Sequence, residues 1–108
     1  MTIVRLPTAA ITDWDSFHQV CQETFGFPTF YGRNMNAWID CLTYLDEGDG
    51  MSQFHLRSDE KLVVEVPETK DLMSRVPGVV AGLIEGVAAV NQRHIQDGKA
   101  PMIALVFL

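Results

Sequence analysis

The stretch Leu62-Val63-Val64-Glu65-Val66-Pro67 decides the class of the fold. Residues 62–66 are rich in β-branched side chains and read as a strand, and Pro67, which has no N–H to give a ladder, closes it. The C-terminal run Met102-Ile103-Ala104-Leu105-Val106-Phe107-Leu108 reads as a second strand, buried on both faces. Near-continuous apolar strands are the signature of parallel sheets, whose two faces are both covered. Thr2-Ile3-Val4-Arg5-Leu6 adds a third, short strand ended by Pro7. Helical patterns separate the three strands. The chain therefore reads as a single α/β domain over residues 1–108, a small three-stranded parallel sheet packed against about four helices. The crossovers are expected to be right-handed, while strand order stays open.

Working outward, Thr12 is the expected N-cap of a first helix over Asp13–Phe25. Asp13 and Asp15 lie in its first turn, where the helix dipole favours acids. Trp14, Phe17, Cys21 and Phe25 form its apolar stripe, and Gly26 stops it. Phe27-Pro28 cannot continue a helix, because the residue before proline leaves the α region. Phe30-Tyr31-Gly32-Arg33 then makes a compact turn, and Asn34 caps a second helix that runs to about Leu45. Met35, Trp38, Leu42 and Leu45 are its buried stripe. Asn36, Asp40 and Thr43 fall on another face, with Ile39 beside them.

Asp46–Lys61 reads as a long acidic loop with a helical turn over Met51–Leu56. Glu68–Val76 reads as a short helix, and Pro77 starts a longer one that reaches Gln96 before Gly98. Gly82 and Gly86 on that helix would let another element approach closely.

Of the 108 residues, 14 are acidic and 8 basic, a formal charge of -6. That balance argues against direct nucleic-acid binding, which needs clustered Lys and Arg, and favours a basic protein partner. No apolar run is long enough to cross a bilayer, and residues 1–10 show no signal-peptide pattern, so a cytoplasmic protein without membrane contact is expected. Cys21 and Cys41 sit inside helical stripes and read as reduced core residues.

No catalytic constellation appears. His18 and His94 read as ordinary helix residues and His55 as a loop residue, none with a second ligand at metal spacing. Residues 46–50, Asp-Glu-Gly-Asp-Gly, lack the alternating ligands of a calcium loop. Nucleophile elbows, phosphate loops and dinucleotide fingerprints are missing too. The chain reads as no enzyme, with no cofactor and no metal.

One segment carries more. Phe27-Pro28-Thr29-Phe30-Tyr31-Gly32-Arg33-Asn34, followed by a helix with Asp40-Cys41-Leu42-Thr43, resembles the core motif of the barstar family, cytoplasmic protein inhibitors of secreted bacterial ribonucleases. Phe17-His18, the strand at 62–66 and the last strand sit where that family's elements sit, so the resemblance covers nearly the whole chain. It implies a domain that plugs a nuclease active site with the helix at 34–45 and the turn before it. By position, Asp40 would enter the pocket that holds a substrate phosphate. A carboxylate there makes charge-assisted hydrogen bonds to a ring of Arg, Lys and His. The resemblance further implies an aromatic contact from Phe30 and a backbone contact at Gly32. Asn34 would cap the helix and reach the partner. Asn36 and Ile39 would flank Asp40, Thr43 would extend the face, and Tyr44, Leu45, Asp46 and Glu47 would form its rim. Tyr31 and Trp38 belong to the core on their helical spacing alone.

Four positions depart from the family's usual pattern. Asn36 and Arg33 stand where acids are common, Ile39 replaces a frequent aromatic, and Arg93 stands where an acid meets the enzyme. The expected partner is thus a basic ribonuclease or nuclease toxin, bound by a protein that is monomeric when free. The alternative is a barstar-like interaction or regulatory module with no nuclease target, motivated by the acids missing at 33 and 36.

Overall fold

The computed structural model describes residues 1–47, 52, 55–57 and 60–108. The helical turn expected over Met51–Leu56 and residues 48–50 and 59 of the acidic loop lie, wholly or in part, outside the described residues. The elements are β1 (Thr2–Arg5), a single 3-10 turn (Thr8–Ala10), α1 (Trp14–Phe25), α2 (Met35–Thr43), β2 (Leu62–Val66), α3 (Thr69–Arg75), α4 (Pro77–Gln96) and β3 (Ile103–Phe107). This is the α/β fold read from the sequence, with four α-helices and one three-stranded sheet among the described residues.

The structure supplies the strand order. β2 is central, and β1 and β3 pair with it in parallel on either side. Thr2 lies opposite Leu62, and Leu62 opposite Ile103. Side chains alternate across a strand, so this register sets Val4, Leu62, Val64, Val66, Ile103 and Leu105 on one face. Leu62, Val64, Val66 and Ile103 on that face are buried, and the helices supply the rest of the core through Phe17, Phe25, Trp38, Leu42, Leu83 and Val90. On the opposite face Ile3, Arg5, Ala104 and Val106 are exposed, and Arg5 pairs with Glu65 across it. The expectation that the last strand is buried on both faces is therefore corrected. β3 is an edge strand, covered on one face only, with Val106 and Phe107 both partly exposed.

The helices follow local chemistry closely. Asp13, one residue after the expected Thr12, caps α1. Its Oδ1 accepts from the Ser16 backbone N–H at 2.8 Å while Ser16 Oγ accepts from the Asp13 N–H at 3.0 Å, a reciprocal capping box. Gly26 ends the helix in the left-handed conformation, φ 67°. The α1 stripe is corrected in one place. Trp14 is 42% exposed, and His18 and Val20 join Phe17, Cys21 and Phe25 inside. Helix α2 stops at Thr43, before the expected Leu45, although Leu45 stays buried beyond it.

The two glycines of α4 mark where α1 and α2 come close. A Cβ on Gly82 would lie 2.5 Å from the Trp14 ring, and one on Gly86 would lie 2.8 Å from the Trp38 ring. Helix α2 thus packs on α4 through an indole that needs the missing Cβ. Among the described residues no single helix is long and apolar enough to cross a membrane, and no group of three or more acidic, His or Cys side chains is placed to hold a metal.

Candidate functional site

The site is built on α2, on the turn before it and on the facing end of α4. Asn34 sets its start. Its Oδ1 accepts from the Ala37 N–H at 2.8 Å, and its Nδ2 donates to the Gly32 carbonyl at 3.3 Å. One side chain therefore caps the helix and closes the turn. Arg33, just before it, takes a left-handed backbone, φ 54°. Its guanidinium is held by α1, donating to Asp15 Oδ1 at 2.8 Å, to the Asp15 carbonyl at 3.0 Å and to Gln19 Oε1 at 2.9 Å. A non-glycine residue in that region is unfavourable alone, so these three bonds offset a local strain of roughly 1 kcal/mol. Arg33 fastens the turn to α1.

Behind the turn, Tyr31 is buried and its hydroxyl meets His18 Nδ1 at 2.6 Å. Burial, then the nearby Arg33 charge, lower the His18 pKa, so its ring is held neutral. Burial also raises the Tyr31 pKa, which keeps the phenol protonated. His18 is therefore a buried, hydrogen-bonded link between α1 and the turn, which corrects its reading as an ordinary helix residue.

The same correction applies to His94. It is buried, and its Nε2 donates to the Thr43 carbonyl at 2.7 Å. That carbonyl is one of the orphan acceptors at the end of α2. Helix α4 thereby satisfies the C-terminus of α2.

Two depressions open on the surface these links support. The first is a small cavity of about 140 Å³ lined by Pro28, Phe30, Tyr31, Gly32, Ala37, Asp40 and Cys41. Phe30 stands over it, 76% exposed. Gly32 is exposed with an ordinary backbone angle, and an added Cβ would sit 3.4 Å from the Ala37 Cβ, an ordinary contact. The second depression is a polar cleft of about 380 Å³ between α2 and α4, lined by Asp40, Thr43, Tyr44, Glu47, Arg93, His94, Gln96, Asp97 and Lys99.

Asp40 belongs to both depressions. The structure thus gathers Phe30, Gly32, Asp40, Thr43, Tyr44 and Glu47 around one carboxylate. Asn34 underlies them as a cap. Asn36 is exposed on α2 and Ile39 is half-buried against the core, and neither lines either depression. Thr43, expected to extend the contact face, is buried instead. Its hydroxyl donates to the Ile39 carbonyl at 2.6 Å and accepts from Arg93 Nη1 at 3.2 Å.

The sequence sets Arg93 at the expected interface but gives it no partner within the chain. Its Nη1 donates to Asp40 Oδ1 at 2.7 Å, an ion pair in which the two side chains are 44% and 53% exposed. Nearby, Lys99 Nζ meets Asp46 Oδ2 at 3.2 Å. No local signal announces either pair, since 53 residues separate the partners in each. The two cysteines are buried and free, and burial pushes Cys21 up to about 12 and Cys41 up to about 11, leaving no reactive thiolate.

The capped helix α2 thus carries the half-exposed Asp40 beside the exposed Phe30 and Gly32 of the turn before it. Residues 1–105 match the family described as Barstar (barnase inhibitor). The chain belongs to the barstar family. The match runs from β1 through α4 and into the first half of β3. Comparison with curated proteins gave no match. Membership of a family of barnase inhibitors gives the chain the role of a ribonuclease inhibitor in outline and implies a ribonuclease as its partner.

Proposed function

We propose that this barstar-family protein inhibits a basic bacterial ribonuclease or related nuclease toxin by covering its active site with α2 and the turn before it. Asp40 takes the place of a substrate phosphate. The observation that carries the reading is the position of Asp40, half-exposed between the Phe30–Gly32 cavity and the α2–α4 cleft. A carboxylate there can enter a cationic pocket while Phe30 and Gly32 contact its wall and Tyr44 and Glu47 meet its rim. The net charge of -6 adds long-range attraction to a basic enzyme, which raises the association rate.

The test is a titration of secreted bacterial ribonucleases, barnase among them, with the parent and its Asp40→Ala form. Stoichiometric inhibition by the parent is expected, with the variant weaker by about 2 kcal/mol or more, the threshold of an interface hot spot. The barnase–barstar complex is itself among the measured cases behind that rule. Equal inhibition by both forms would remove Asp40 from the site. Inhibition by neither would move the reading to an interaction module without a nuclease target.

A further inference from the structure

We propose that Arg93 selects the target. The nuclease this protein accepts sets a carboxylate beside its cationic phosphate site, facing Arg93. This rests on the inhibitor reading above and adds the chemistry of the partner.

Asp40 is the single acid of α2, because residue 36 is asparagine. Its Oδ1 is occupied by Arg93 Nη1 at 2.7 Å, and Thr43 Oγ1 holds the same nitrogen at 3.2 Å. A pocket built of cations alone would receive Asp40 and meet the Arg93 charge within bonding distance of the same carboxylate. Docking expels water, which strengthens that repulsion. Side-chain movement does not remove it. Asp97, the C-cap of α4 four residues on, lines the same cleft. Glu47 lines it too, while Lys99 is already engaged by Asp46. Wherever the guanidinium pairs within the cleft, it stays under the partner.

What relieves the repulsion is an anion from the partner. Of the five guanidinium donors, those on Nε and Nη2 make no hydrogen bond among the described residues. That fork suits a carboxylate in two-pronged geometry. The surface that fits is therefore mixed in charge: cations for Asp40 and an Asp or Glu beside them for Arg93.

The experiment uses the full chain with Arg93→Glu and Arg93→Met forms, each checked for an unchanged melting temperature, against the same ribonuclease panel. For a ribonuclease that the parent inhibits, Arg93→Glu is expected to weaken the complex by about tenfold or more, and Arg93→Met by less. Replacing the facing carboxylate of that enzyme by Lys is expected to restore binding to Arg93→Glu. Where the parent inhibits no member, the expected result is that Arg93→Glu gains inhibition of at least one. Binding by Arg93→Glu as tight as the parent's, or tighter, to an enzyme the parent inhibits would overturn the proposal and leave the inhibitor reading standing. No inhibition of any member by parent or variants would overturn both.

Discussion

Replacing Gly86 by alanine should destabilise the protein, although alanine is the better helix former. Two effects compete. In the interior of α4, Gly→Ala is worth roughly 1 kcal/mol of helix propensity. Against it stands the space the new methyl would occupy, 2.7 Å from Met35 Cε, 2.8 Å from Trp38 Cζ3 and 3.0 Å from Trp38 Cε3. The methionine tip can move aside. The indole cannot, because Trp38 is 1% exposed and packed edge-on against Phe25. Overpacking a rigid core costs about 1–3 kcal/mol, and with the indole fixed the upper end applies, so the net loss should be up to about 2 kcal/mol, a fall of roughly 4–8 °C in melting temperature for each kcal/mol. The control is Gly82→Ala. Its methyl would lie closer still, 2.5 Å from Trp14 Cη2. Yet Trp14 is 42% exposed and has room to swing outward, so the propensity gain should offset most of the clash. Urea unfolding of the two variants beside the parent measures both. The loss at Gly86 should also reach the site, because Trp38 lies two residues before Asp40 on α2. A Gly86→Ala protein as stable as Gly82→Ala, or more stable than the parent, would refute the view that the Trp38 contact fixes α2 on α4.

Two further outcomes follow from hydrogen bonds near the site. His18 has a folded pKa below its ordinary value, so its neutral state stabilises the fold. That contribution is complete above the unfolded pKa, about 6.5, and is lost as pH falls through the folded value. Melting temperature should therefore drop from pH 7 to pH 5, less so in a His18→Gln form, and an NMR titration of the ring should give a midpoint below that of an unfolded peptide. Replacing Asn34 by alanine removes the α2 cap and the bond to the Gly32 carbonyl, at a cost of about 1 kcal/mol in urea unfolding, and should weaken ribonuclease inhibition as the turn loosens.

Local chemistry made much of this protein legible in its sequence. Asn34, Gly26 and Pro77 mark helix ends wherever they occur, since the cap, the left-handed stop and the fixed φ involve only a few neighbouring residues. The β-branched run at 62–66 makes a strand for the same reason, and Gly82 with Gly86 signals a close approach before the approaching indoles are known. The Phe27–Thr43 motif named the family because its residue order runs unbroken through one turn and one helix.

Tertiary structure decided what depends on partners far apart in the chain. The apolar run at 102–108 looks the same whether one face of its sheet is covered or both, and only the packing of the helices on a single face leaves Ala104 and Val106 exposed. His18 and Tyr31 are 13 residues apart, and their bond exists because the turn folds back on α1. The Asp40–Arg93 pair spans 53 residues. Sequence alone gives Asp40 a carboxylate and a helix face. The packing of α4 against α2 gives that carboxylate a cation to hold, because a charge acts on whatever the fold brings within a few ångströms.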